Sequence, residues 1–110
     1  MDGVASQSRF AYPSSLCLDP WNNIFVSDTN ANSIRKIHNT TGDVSTFARG
    51  FSSPYGVECL LDGTLIVADT AYNQIKRVDS SGGVAVFGTG FNQPMSFVQS
   101  NISGNAYVFL

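Results

Sequence analysis

The chain has 110 residues, the size of one small domain, and 43% hydrophobic residues with eight Phe and four Tyr make a folding composition. Only 13% of residues are charged and the formal net charge is −2, which disfavours nucleic acid or an acidic membrane as a mainly electrostatic partner. No apolar run reaches the length of a membrane span, and Met1-Asp2-Gly3, read as a natural start, lacks the basic and apolar regions of a signal peptide. Two cysteines are too few for a disulfide scaffold, so the compartment stays open.

In chain order, residues 1–9 lack strand-length alternation and read as a linker. Phe10-x-x-Pro13 follows, and the same tetrad returns as Phe51-x-x-Pro54 and Phe91-x-x-Pro94. Each proline stiffens the start of a short strand, and the aromatic before it is placed to wedge between layers. Strand a spans 14–18 and again 55–60. A turn at Asp19-Pro20-Trp21-Asn22, or at Leu61-Asp62-Gly63, leads to strand b at 24–27 and 65–68.

The hairpin is the clearest unit. Ile24 to Ile37 reads IFVSDTNANSIRKI and returns from Leu65 to Val78 as LIVADTAYNQIKRV, an offset of 41 residues. Alternation ending in Asp-Thr, a polar turn of four residues, and a second strand holding two bases make one hairpin used twice. Strand c is expected at 33–38 and 74–79, and strand d at 44–48 and 84–87 after turns at Asn39-Thr40-Thr41-Gly42 and Ser80-Ser81-Gly82-Gly83.

Four antiparallel strands per repeat of this length predict an all-β fold built of β-propeller blades, with residues 10–50 as blade 1, 51–90 as blade 2 and 91–110 as an incomplete blade 3. About two and a half blades leave a ring open, since propellers close with roughly four to eight. The sequence therefore reads as a piece of a larger propeller, an abbreviated product, or a subunit that completes its ring by self-association through uncovered blade faces.

The motifs V-[AS]-D-T, I-[RK]-[KR]-[IV] and Gly-x-Val, in register over two repeats, give a chain that resembles the NHL-repeat family from Phe10 to Leu110. The resemblance implies a propeller, usually of six blades, but not one activity, since members include protein-interaction and RNA-binding modules, sensors and a few lyases. Ala31, Ser33, Tyr72 and Gln74 stand where that family commonly places Asn and Arg, which removes cationic residues from one face. Val26 and Val67 stand where YWTD propellers carry Trp.

Asp28 and Asp69 close strand b in both copies and read as structural turn residues, their carboxylates accepting backbone N–H groups of the b-to-c turn. A channel cation site lacks further ligands within hairpin reach, so no metal site and no cofactor are expected. His38 is the only histidine and reads as a surface residue, so no catalytic residue is assigned. Cys17 and Cys59 lie on successive strands a with opposite parity, which a cross-blade contact would require; inner strands too far apart for a bridge leave two free, buried cysteines as the expectation. Arg35-Lys36 and Lys76-Arg77 read as exposed charges protecting an outer wall.

Strands a and c run the same way, so the d-to-a and b-to-c connections share one rim. That rim is expected to carry Thr29, Asn30, Asn32, Arg49, Phe51, Ser53, Tyr55, Tyr72, Asn73, Phe91, Asn92 and Gln93, a mix of amides and aromatics suited to recognising a protein or glycan surface. The binding residues expected are Asn30, Asn32, Arg49, Tyr55, Tyr72, Asn73, Asn92 and Gln93, with the Phe residues equally readable as buried wedges. The sequence thus points to a non-catalytic binding scaffold for a protein partner. The alternatives are a lyase-like enzyme whose catalytic residues lie in other blades and, more weakly, a module that stacks single-stranded RNA on Tyr55 and Tyr72.

Overall fold

A computed structural model describes residues 10–89, 96–99 and 106–109. The linker, Phe91, Asn92, Gln93, Pro94 and the turn from Ser100 to Asn105 lie outside the described residues. Two four-stranded antiparallel sheets follow one another, in the order β1-β2-β3-β4 and β5-β6-β7-β8. The first holds β1 (Pro13–Leu18), β2 (Ile24–Asp28), β3 (Ser33–Ile37) and β4 (Val44–Arg49). The second holds β5 (Pro54–Cys59), β6 (Leu65–Asp69), β7 (Gln74–Val78) and β8 (Val84–Gly88). β9 (Ser96–Gln99) and β10 (Ala106–Phe109) form a further antiparallel pair. This is a partial β-propeller: β1 packs on β5 and β5 on β9, so the first strand of each blade is the inner one.

The repeat extends to irregularities. Register shifts fall at Pro13/Ser15 and Pro54/Val57, and at Ile34/Arg35 and Ile75/Lys76, the same places in both blades. A bulge bends and re-aims the strand that carries it, so its recurrence keeps corresponding side chains on corresponding faces. The a-to-b turns are held by carboxylates: Asp19 accepts from the backbone N–H groups of Trp21 and Asn23 at 2.9 Å, and Asp62 from that of Thr64 at 2.9 Å. Gly63 sits at φ +89°, and a Cβ there would meet the Trp21 ring at 2.9 Å, so the indole lies over the neighbouring blade's turn.

Because side chains alternate along each strand, every blade has a front face and a back face. The back of blade 1, with Cys17, Phe25, Ile34 and Ala48, packs against the front of blade 2, with Val57, Cys59, Leu65, Val67 and Val78. Phe51 is buried in the same core, which settles it as a wedge. The back of blade 2 carries a second cluster of Ile66, Ala68 and Ile75. Polar contacts cross the first seam as well: Ser27 Oγ donates to the Tyr55 carbonyl and Thr29 Oγ1 to the Pro54 carbonyl.

The expectation of free cysteines is overturned. Cys17 and Cys59 form a disulfide across the seam, with a Cα–Cα distance of 5.7 Å. Inner strands converge towards the propeller axis, so β1 and β5 come within bridging reach, and opposite parity aims one thiol backward and the other forward.

Candidate functional site

The rim begins with two short 3-10 turns, Thr29–Ala31 and Thr70–Tyr72, each ended by an asparagine in the left-handed conformation at φ 54°, ψ 39°. Asn32 and Asn73 serve there because asparagine tolerates that region better than other residues with a Cβ. Asn32 Oδ1 accepts from the Ser53 backbone N–H at 3.0 Å, tying the turn of blade 1 to the lead-in loop of blade 2. Asn30, Arg49, Tyr72 and Asn73 are exposed, and Tyr55 is half-buried on β5. Thr29 is buried in the seam, so it leaves the accessible rim. Asn92 and Gln93 lie outside the described residues.

Asp28 and Asp69 do not hold the b-to-c turn. Neither makes a side-chain hydrogen bond capping the short helix that follows it. Asp28 Oδ1 accepts from the backbone N–H groups of Ala11 at 2.9 Å and Tyr12 at 2.8 Å, and Asp69 Oδ1 from that of Ser52 at 2.6 Å. Both carboxylates therefore clamp the loop leading into their own blade.

The bases at Arg35 and Lys76 are likewise not outer-wall charges, being only 3% and 8% exposed. Arg35 pairs with Asp28 at 3.4 Å and Lys76 with Asp69 at 2.7 Å. Arg35 also lies over the Phe10 ring at 5.4 Å, as Lys76 Nζ lies over Phe51 at 5.6 Å. Lys36 is half-buried and Arg77 exposed, so one base of each pair turns outward. Sequence reasoning missed this lock, although its signal was present: each repeat spaces Phe, Asp and base identically.

Lys76 joins the lock to the rim. Its Nζ donates to the Gly50 carbonyl at 2.8 Å and sits 4.7 Å from the centroid of the Tyr72 ring. The exposed ring is thereby linked through Lys76 to Gly50, where blade 1 passes into blade 2. Two contacts thus bridge the loops at the seam: Asn32 to Ser53, and Lys76 to Gly50 and Tyr72.

Elsewhere, an open groove of 280 Å³ is lined by Lys36, His38, Thr41, Asp43 and Ser45 at the outer end of blade 1. His38 is exposed and its Nδ1 lies 3.1 Å from Thr40 Oγ1. Burial raises the carboxyl pKa of Glu58 on β5 above its ordinary 4.5. Hydrogen bonds lower two others below their ordinary 3.8, Thr64 acting on Asp62 and Ser81 with Gly83 on Asp79. Among the described residues there is no group of three or more His, Cys, Asp or Glu placed to hold a metal ion. No helix among them is long and apolar enough to cross a membrane.

Two complete blades, a third inner hairpin and a rim of connecting loops define a segment of a propeller-type protein. No protein-family model and no curated protein matches the chain. Among solved structures it is similar to virginiamycin B lyase from Staphylococcus aureus, with TM-score 0.77 and 15% identity over 96% of this chain and 36% of that one. Kuenenia stuttgartiensis hydrazine synthase gives TM-score 0.79 and 19% identity over 92% of this chain and 30% of the other. Regucalcin, a calcium-binding protein from Agrobacterium tumefaciens, gives 0.67 and 19% over 88% and 41%. Identities this low establish the propeller fold alone, and the chain spans about a third of the first of these proteins.

Proposed function

We propose that the chain is a binding module of NHL type that engages a protein partner through the rim formed by the b-to-c and d-to-a loops. The observation that supports this most directly is Tyr72, which is 57% exposed yet anchored over Lys76. An aromatic side chain held in place but open to solvent offers a large contact area with little ordering left to lose on binding. Asn73 follows it in the same turn, and Asn30 and Arg49 are exposed hydrogen-bonding groups on the loops of blade 1. The test is affinity capture on immobilised chain, with the captured protein identified and re-bound in purified form. Tyr72→Ala and Arg49→Ala should each weaken that binding at least tenfold; unchanged affinity in both would remove the rim from the reading. Asn73→Gly preserves the left-handed backbone and isolates the amide. Capture that collapses with added salt would point to RNA instead.

A lyase-like reading draws on the similarity to virginiamycin B lyase, which was also solved as a catalytically inactive histidine-to-alanine variant with quinupristin. The only histidine here lies at the outer end of blade 1, among Lys36, Thr41, Asp43 and Ser45. Incubating the chain with quinupristin and following its mass by chromatography should show no conversion. Conversion would replace the binding reading with catalysis.

A further inference from the structure

We infer that Asn39 is the acceptor of an N-linked oligosaccharide, attached as the chain matures in an oxidising secretory compartment. Asn39-Thr40-Thr41 has the N-x-T pattern of such acceptors, with no proline between, and lies in the turn between β3 and β4. All three residues are exposed, as a carried glycan requires.

The internal repeat sets this turn apart. The His38 N–H donates to the Asp43 carbonyl, and the Asp79 N–H to that of Gly83. Blade 1 therefore spans the turn with four residues, Asn39-Thr40-Thr41-Gly42, and blade 2 with three, Ser80-Ser81-Gly82. In blade 2, Asp79 Oδ1 closes the turn by accepting from the backbone N–H groups of Ser81 and Gly83. Closing the hairpin thus needs neither the extra residue nor the pattern that it completes in blade 1.

The Asn39 amide can take a sugar without losing its place. Its backbone N–H donates to Asn23 Oδ1 at 3.0 Å, and its Nδ2 to the Trp21 carbonyl at 2.7 Å. A primary amide carries two N–H groups. In the transfer, Nδ2 forms a bond to C1 of the first sugar of a lipid-pyrophosphate-linked oligosaccharide. The C1–O bond to the pyrophosphate breaks, the lipid pyrophosphate leaves with the electron pair, and a base takes one amide proton. One N–H remains, enough to keep the Trp21 contact.

The disulfide points to the compartment independently. Cys17 and Cys59 are the chain's two cysteines, and both are in the bridge. Such bridges form and persist in oxidising compartments and are rare in reducing ones. The turn from β3 to β4 lies on the rim opposite the b-to-c and d-to-a loops, so the sugar leaves the proposed binding rim open.

The protein purified from the cells that make it should lose mass when treated with an amidase that removes N-glycans, and glycopeptide mapping should place the sugar on Asn39. Asn101-Ile102-Ser103 shares the pattern, so mapping decides and total mass does not. In the same cells Thr41→Ser should keep the glycan at Asn39 and Thr41→Ala should lose it. The readout is covalent and transfer precedes folding, so a poorly folding variant still reports. An unmodified Asn39 in the native protein, a glycan confined to Asn101, or a glycan at Asn39 that survives Thr41→Ala would each overturn the inference. Tyr72→Ala leaves glycan occupancy unchanged, so failure here and failure of the binding reading are separable.

Discussion

At the residue scale the fold rests on a charge lock repeated in each blade. A buried carboxylate accepts from backbone N–H groups and faces a base that is itself nearly buried, so either group alone would be a desolvated charge without compensation. Lys76→Met should therefore cost more than an exposed substitution, about 3 kcal/mol, by leaving Asp69 unpaired. Asp69→Asn with Lys76→Met should recover part of that loss, and equilibrium urea unfolding of the single and double variants measures the coupling. Glu58 gives the opposite sign of pH dependence from the turn aspartates. Its folded pKa lies above the ordinary 4.5, so the stability associated with its neutral form is present below 4.5 and is lost as pH rises through the folded value. Asp62 and Asp79 have folded pKa values below 3.8, so their contribution is present above 3.8 and lost as pH falls through the folded values. Glu58→Gln should thus stabilise the chain increasingly as pH rises above 4.5, measured as a melting-temperature difference from wild type across a pH series. A difference that stays flat would mean that burial does not perturb this carboxyl.

At the element scale the hairpin was legible because alternation and turn chemistry are local. Ile24, Ser33, Val44 and Leu65 begin strands where the sequence places them, since strand-length alternation resumes there after turns rich in Asp, Asn and Gly. What the alternation did not carry was which distant backbone each polar side chain reaches. Asp28 looked like a turn residue, yet its donors are 16 and 17 positions away in the lead-in loop. The cysteines show the same limit: parity was readable, but the convergence of inner strands exists only once blades stack around an axis. The resulting bridge joins β1 to β5 with a sequence separation of 42. A closed loop of that length restricts the unfolded chain by about 4 kcal/mol in the loop-entropy model. Reduction with a thiol, or Cys17→Ser with Cys59→Ser, should lower the melting temperature by more than 10 °C. A shift of a degree or two would show that the seam holds without its covalent tie.

At the scale of the molecule, the strongest burial lies between blades. Leu65, Val67, Ile34 and Val78 have no exposed surface, and the first three belong with Val78 to one cluster drawn from both sheets. By contrast Val86 and Phe87 on β8, the outer strand of blade 2, are mostly exposed. Neither blade buries this core alone, so blades 1 and 2 should unfold as one cooperative unit while β8 opens locally at lower cost. Native-state hydrogen exchange checks this directly: amides of β2, β3, β6 and β7 should share one opening free energy, and those of β8 should exchange faster. Leu65→Ala removes a fully buried side chain at the centre of the seam and should cost about 3 kcal/mol. If the blades are one unit, that loss appears equally in the amides of β2 and β3, although the substitution lies in the other sheet. A loss confined to β6 and β7 would mean that each blade is stable by itself, and that the seam is a contact between independent parts.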